Sequence, residues 1–85
     1  MKEFQYTIQD PMGFHARPAG ALVRAAKVYA SKITLTCGEK SAQLTRLMAV
    51  MALGVKQGQT VTVTIDGPDE EKAFEELQTQ FRENA

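Results

Sequence analysis

Alternation of threonine with apolar residues is the feature that most constrains the fold of this chain. From Thr60 to Ile65 every second residue is Val or Ile and the others are Thr, a period of two that is typical of a strand with one buried face. A similar alternation occurs in Phe4–Ile8 and in Ile33–Cys37. Threonines on the outward positions of two strands predict a sheet that packs on helices with one face and meets solvent with the other.

Three segments have the patterns of helices. Apolar residues recur at helical spacing over Ala16–Tyr29, with Pro18 in the first turn, where its missing N–H is harmless. Leu47–Leu53 is uniformly apolar and is followed by Gly54, which favours a short helix ended by a glycine. A third helix is predicted to begin after Asp69, interpreted as its N-cap. The apolar stripe of this helix consists of Ala73, Phe74, Leu77 and Phe81.

These segments predict an α+β fold with the element order βαββαβα. Ser41–Leu44 follows Ile33–Cys37 closely, and Gly38 between them can take the positive φ of a tight turn, so the two segments form a predicted hairpin. We expect an open-faced β-sandwich whose three helices cover one face of a four-stranded sheet. With 85 residues, about half the size of a common domain, residues 1–85 are expected to form a single domain.

Composition excludes several classes of site. Cys37 is the only cysteine and His15 the only histidine, so no intrachain disulfide or cysteine-rich zinc site can form, and we expect neither a metal nor another cofactor. The longest apolar run, Leu47–Val55, is far shorter than the roughly 20 residues that span a bilayer. The N-terminal segment has no apolar signal-peptide core, so the expected location is the cytoplasm, without membrane insertion.

Charge is distributed unevenly although the net charge is zero. Residues 11–65 contain seven Lys or Arg and one Glu, whereas residues 66–85 contain two Lys or Arg and seven Asp or Glu. The six aromatic residues include no tryptophan and do not accompany a clustered basic groove, so nucleic acid is not an expected partner. A basic middle segment is better suited to an acidic protein or a phosphate group.

His15 lies where a glycine-containing turn meets the predicted start of the first helix. A helix start offers free N–H groups and a partial positive charge, and Arg17 adds a guanidinium that can hold two phosphate oxygens. An unprotonated imidazole nitrogen is a nucleophile. His15 and Arg17 are therefore the candidate catalytic residues, with Ala16 and Arg17 as the candidate phosphate-binding residues. The residue pattern alone leaves open that His15 is an ordinary solvent-facing turn residue or a substitute for an N-cap residue.

The string GFHARPA around His15 resembles the active-site signature of the HPr family, the histidine phosphocarriers of the bacterial phosphoenolpyruvate-dependent sugar phosphotransferase system. The resemblance extends along the whole chain. It implies a sheet order of 1-4-2-3 and a monomer in which Nδ1 of His15 accepts a phosphoryl group from enzyme I and passes it to a IIA domain. Such a protein is a carrier with a phosphohistidine intermediate, and whether it counts as an enzyme depends on definition.

The family also presents an apolar docking patch on the short helix beside the histidine. The residues expected to contact partner proteins are Met12, Gly20, Arg24, Lys27, Leu47, Met48 and Met51. Many family members carry a regulatory serine at the start of the short helix, where this chain has Arg46 preceded by Thr45. That difference puts serine-dependent regulation in doubt without affecting the role of His15.

Two other functions fit the residues. A small-molecule-sensing or interaction module of the βαββαβ type would never be phosphorylated and would give GFHARPA no special role. A regulatory protein similar to HPr would keep His15 while acting mainly by binding another protein. Incubation with enzyme I and phosphoenolpyruvate, followed by intact mass measurement, would distinguish these alternatives from a phosphocarrier.

Overall fold

The computed structural model describes residues 1–85 and contains four strands and three helices. In chain order these are β1 (Lys2–Thr7), α1 (Ala16–Ala26), β2 (Lys32–Cys37), β3 (Lys40–Gln43), α2 (Leu47–Ala52), β4 (Thr60–Asp66) and α3 (Glu70–Asn84). The strands form one antiparallel sheet in the order β1-β4-β2-β3. The predicted α+β open-faced sandwich and its 1-4-2-3 strand order are confirmed.

Register across the sheet separates a buried face from a threonine-rich face. Val63 in the central strand β4 pairs with Phe4 of β1 on one side and with Leu35 of β2 on the other, and all three side chains are buried. The next residue toward the start of β4, Thr62, points to the opposite face and lies opposite Thr36 of β2. The period of two therefore reports which side of each strand meets the helices.

Phe81 of α3 is the centre of an aromatic cluster in the core. Its ring is fully buried, with centroids 5.6 Å from the rings of Phe4 and Tyr6 of β1 and 6.3 Å from the ring of Phe14, which is nearly parallel to it. Phe14 precedes the histidine at the start of α1. The core thus extends beneath the loop that carries the candidate site.

Helix α1 ends at Ala26, so the prediction that it reaches Tyr29 was wrong. The N–H of Tyr29 donates to the carbonyl of Ala26 in a turn, and its hydroxyl donates to the carboxylate of Glu76 on α3. Desolvation and this carboxylate raise the pKa of Tyr29 to about 12. The aromatic residue matched the helical spacing because it packs on the same side as the helix, against α3.

Asp69 precedes α3 as predicted, but its side chain does not cap the helix. The carboxylate instead accepts hydrogen bonds from the Ala30 N–H at 2.8 Å and from the N–H and hydroxyl of Ser31 at 3.0 and 2.5 Å. These bonds, that of the Ser31 hydroxyl above all, lower the pKa of Asp69 below its ordinary value. Glu70, the first residue of α3, accepts instead from the Gly67 N–H of the preceding turn at 3.1 Å. A tertiary partner has displaced the local cap.

Strand ends shift by one or two residues from the prediction. β1 begins at Lys2 and stops before Ile8, while β3 covers Lys40–Gln43 and leaves Leu44 as a fully buried residue beyond the strand. The N–H of Leu44 still donates to the carbonyl of Ile33 at 2.9 Å. Leu44 thus matches the apolar pattern of a strand because it is buried, although the regular strand pairing ends at Gln43.

The helices are short, with 11 residues in α1, 6 in α2 and 15 in α3. α2 ends at Ala52, one residue before the predicted Leu53, and Gly54 has a φ of +65°, as a terminating glycine requires. No helix combines the length and the apolar character that crossing a bilayer demands.

Candidate functional site

The loop between β1 and α1 is held by backbone hydrogen bonds to the segment that follows α2. The Phe14 N–H donates to the carbonyl of Val55 at 3.0 Å, and the Gly58 N–H donates to the carbonyl of Ile8 at 2.9 Å. The loop is therefore anchored at both ends to residues more than 40 positions away, which determines where α1 begins.

Gly13 makes this anchoring possible. Its φ is +70°, and a Cβ atom at this position would lie 2.6 Å from the carbonyl oxygen of Val55 and 2.9 Å from the Cα of Lys56. Both neighbours are backbone atoms and cannot turn aside as a flexible side chain would. Only glycine lets the loop approach this closely, which gives a physical reason for the glycine in GFHARPA.

His15 occupies the N-cap position of α1 with an extended backbone and no capping hydrogen bond from its side chain. Its Nε2 lies 3.2 Å from Oδ2 of Asp10, and the side chain is 26% exposed. No hydrogen bond involves Nδ1. In the neutral ring a proton on Nε2 faces the carboxylate, which leaves the Nδ1 lone pair free for reaction.

Asp10 is the site residue that sequence reasoning missed. Its Oδ1 accepts from the Met12 N–H at 2.9 Å, and its Oδ2 faces His15 and lies 3.8 Å from Nη2 of Arg17. The Met12 N–H, followed by the histidine and the arginine, lowers the pKa of Asp10 despite the opposing effect of burial. The sequence signal was an Asp-Pro pair, typical of a turn start, five residues before the histidine, and it predicted the turn but not the side-chain contact.

Free N–H groups at the start of α1 adjoin the histidine. The helical hydrogen bonds begin with the Ala19 N–H, which donates to the carbonyl of His15 at 3.0 Å, and Pro18 has no N–H. The N–H groups of Ala16 and Arg17 thus remain without a helical partner. The side chain of Arg17 is 79% exposed, so its guanidinium can turn toward an incoming anion. Both predicted phosphate-binding residues therefore lie beside His15.

Exposed apolar side chains lie on the loop before His15 and on α2. Met12 is 75% exposed, Met48 is 77% exposed and Leu47 is partly exposed, whereas Met51 is half-buried. Val50, two residues after Met48 and therefore nearly opposite it on the helix, is fully buried. The short helix therefore buries Val50 and presents Met48 to solvent.

The basic residues of α1 are exposed, but Gly20 is not. Arg24 and Lys27 face solvent. Gly20 is buried, and a Cβ atom added there would lie 3.4 Å from Nη1 of Arg24, because the guanidinium lies over the glycine. Gly20 is therefore buried beneath the exposed Arg24 side chain, and its expected contact with partner proteins stays a prediction.

Arg46 occupies the N-cap position of α2. Its side chain is exposed and makes no capping hydrogen bond, while its carbonyl accepts from the Val50 N–H at 3.0 Å. Thr45 is half-buried and precedes the N-cap. The hydroxyl nearest to the expected regulatory position therefore lies outside the helix.

Comparison with known proteins identifies the family and agrees with the fold. A family model described as "PTS HPr component phosphorylation site" matches residues 2–83. The phosphocarrier protein HPr of Lysinibacillus sphaericus is 46% identical over 83 residues, covering 98% of this chain and 94% of that protein. A solved histidine-containing phosphocarrier protein from Mycoplasma has a TM-score of 0.94 and 34% identity, covering 96% of this chain and 93% of that one. An HPr dimer from Thermoanaerobacter tengcongensis has a TM-score of 0.77 and 35% identity, covering 98% and 95%. The chain belongs to the HPr family of phosphocarrier proteins of the phosphotransferase system.

Proposed function

We propose that this chain accepts a phosphoryl group from phosphorylated enzyme I on Nδ1 of His15 and delivers it to IIA domains of sugar permeases. The observation that carries the proposal is the pairing of His15 Nε2 with the carboxylate of Asp10 at 3.2 Å, which leaves Nδ1 unpaired at the start of α1. A nucleophile and an anion-binding helix start therefore occupy the same place.

Acceptance and delivery of the phosphoryl group both take place at Nδ1 of His15. The Nδ1 lone pair forms a bond to phosphorus while the bond between phosphorus and the donor breaks, and that electron pair stays on the donor. On delivery, a nucleophile of the acceptor attacks phosphorus and the electron pair of the Nδ1–P bond returns to Nδ1. The free N–H groups of Ala16 and Arg17 and the guanidinium of Arg17 stabilise the negative oxygens as they pass.

Docking is proposed to use the exposed apolar side chains together with the basic residues of α1. Met12 on the loop before His15 and Leu47 and Met48 on α2 supply exposed apolar area, while Met51 is half-buried. Flexible methionine side chains suit a surface that meets different partners in turn. Arg24 and Lys27 extend a positive rim toward acidic partner surfaces.

We propose that the working form is a monomer, because His15, Asp10 and Arg17 all come from one chain; one solved relative is a dimer. Its proposed partners, enzyme I and the IIA domains, place it in the cytoplasm. Sedimentation of the phosphorylated and unphosphorylated protein tests the monomer directly.

Incubation with enzyme I and phosphoenolpyruvate tests the proposed function. We expect the intact mass to rise by one phosphoryl group, because the chain has a single histidine. The group should be labile to acid and stable to base, since an N–P bond behaves in the opposite way to a serine ester. Added IIA domain should remove it. Absence of labelling, or a base-labile product, would contradict the proposal.

Replacement of Met48 by aspartate tests the docking surface. A charge at this exposed position must lose water on contact with the partner, so we expect the KM for enzyme I to rise about tenfold, or about 1.4 kcal/mol, with little change in kcat.

Val28→Asp is the matched control, because Val28 is equally apolar and exposed but lies after α1 in a groove against α3. A Met48 variant with the KM of the parent protein, or a Val28 variant impaired to the same degree, would remove Met48 from the docking surface.

A further inference from the structure

We infer that Asp10 is a positioning residue for phosphoryl transfer, which keeps His15 in the tautomer with the proton on Nε2 and balances the positive charge that the ring gains on phosphorylation. The inference rests on the proposed function for its kinetic consequence. The arrangement of the ring and the carboxylate stands on the structure alone.

Asp10 is itself held in place by its surroundings. Its carbonyl accepts from the Gly13 N–H at 2.8 Å, its N–H donates to the carbonyl of Ala85 at 3.0 Å, and its Oδ1 accepts from the Met12 N–H at 2.9 Å. Only 14% of the side chain is exposed. With Oδ1 occupied, Oδ2 is the oxygen that remains for His15, so the carboxylate is oriented before any partner arrives.

The carboxylate determines which ring nitrogen carries the proton. An ionised carboxylate can only accept hydrogen bonds, so the neutral ring of His15 places its proton on Nε2 and its lone pair on Nδ1. The low pKa of Asp10 keeps the group ionised at neutral pH. The nitrogen proposed to attack phosphorus is then the unprotonated one, as nucleophilic attack requires.

The same contact stabilises the phosphorylated ring. When Nδ1 bonds to phosphorus and Nε2 keeps its proton, the ring carries a positive charge until the phosphoryl group leaves. Oδ2 of Asp10 faces that charge at hydrogen-bond distance. Arg17, whose Nη2 lies 3.8 Å from the same oxygen, is exposed and free to move from the carboxylate to the phosphoryl oxygens.

Asp10→Asn is the sharpest test because it changes the chemistry and keeps the shape. The amide oxygen can still accept from the Met12 N–H, which places the amide NH₂ where Oδ2 faced His15. An NH₂ group donates, so it favours a ring with the lone pair on Nε2 and the proton on Nδ1, the wrong tautomer for attack. Asp10→Ala removes the contact without forcing the tautomer.

The experiment combines ¹⁵N NMR of the His15 ring with initial rates of transfer from enzyme I. We expect mainly the Nε2–H tautomer in the parent protein and mainly the Nδ1–H tautomer in Asp10→Asn. The kcat of Asp10→Asn should fall tenfold or more and that of Asp10→Ala by less, with KM changed less than twofold in both. Asp66→Asn, the same change on an exposed carboxylate of β4, should alter neither measurement.

A merely structural role would make alanine the more harmful change, because asparagine preserves the turn. The inference is overturned if Asp10→Asn keeps the Nε2–H tautomer, transfers at the parent rate, or is less impaired than Asp10→Ala. The tautomer is measured without enzyme I, so it tests the role of Asp10 independently of phosphoryl transfer. A parent protein that accepts no phosphoryl group would contradict only the proposed function.

Discussion

Replacing His15 with alanine should abolish phosphoryl incorporation from enzyme I and phosphoenolpyruvate while leaving the protein folded. No second histidine exists to accept the group, so the expected loss is at least about a thousandfold, to the limit of detection. The side chain of His15 makes one hydrogen bond, to Asp10, and does not cap α1, so little of the fold depends on it.

The measurement is intact mass after incubation, with the melting temperature recorded on the same sample. His15→Gln serves as a second variant, because its amide preserves polarity and size without a nucleophilic ring nitrogen. Labelling of either variant at the parent level would show that another residue carries the phosphoryl group.

Replacing Phe81 with alanine should cause the largest loss of stability of any single truncation in this chain. Phe81 is fully buried and its ring contacts those of Phe4, Tyr6 and Phe14, so the change removes apolar burial and leaves a cavity between β1 and α3. Such truncations cost about 3–5 kcal/mol. For a domain of this size each kcal/mol lowers the Tm by about 4–8 °C, so a fall of at least about 12 °C is expected.

Phe74→Ala on the same helix is the matched control. Phe74 is only half-buried and meets one aromatic ring, that of Phe4, so we expect the Tm to fall by less than half as much. Urea unfolding of the two variants and the parent protein measures the difference. Equal losses would contradict the prediction that the contacts of Phe81 contribute more to stability than those of Phe74.

The order and type of most secondary structure elements could be predicted from the spacing of apolar residues. That spacing differs between strands and helices and can be recognised within a window of a few residues. The strand over Thr60–Ile65 and the helix that begins at Ala16 were predicted in this way, and both are present. The strand order was implied by family resemblance and not by period, because no local pattern tells one strand which neighbour it pairs with.

The ends of the helices and strands were harder to predict. Residues far away in the chain can form hydrogen bonds with the same side chains that would otherwise cap or continue an element. Asp69 has the residue type of an N-cap, yet its carboxylate bonds to Ala30 and Ser31, which lie almost 40 positions earlier. Tyr29 continues the apolar spacing of α1 but lies in a turn, with its hydroxyl bonded to Glu76. Local propensity of about 1 kcal/mol is comparable to one such tertiary contact and is easily overridden.

The sequence by itself determined that His15 and Arg17 both lie at the start of a helix. The signals for that helix start are a turn, a proline and an apolar stripe, and all of them are close together in the chain. Tertiary structure alone decided that Asp10 faces the ring, that Gly13 lies against Val55 and that Arg24 covers Gly20. Side-chain hydrogen bonds and close contacts depend on ångström-scale distances between atoms. Those distances follow from how the loop after α2 anchors the loop before α1, which no residue pattern within either loop specifies.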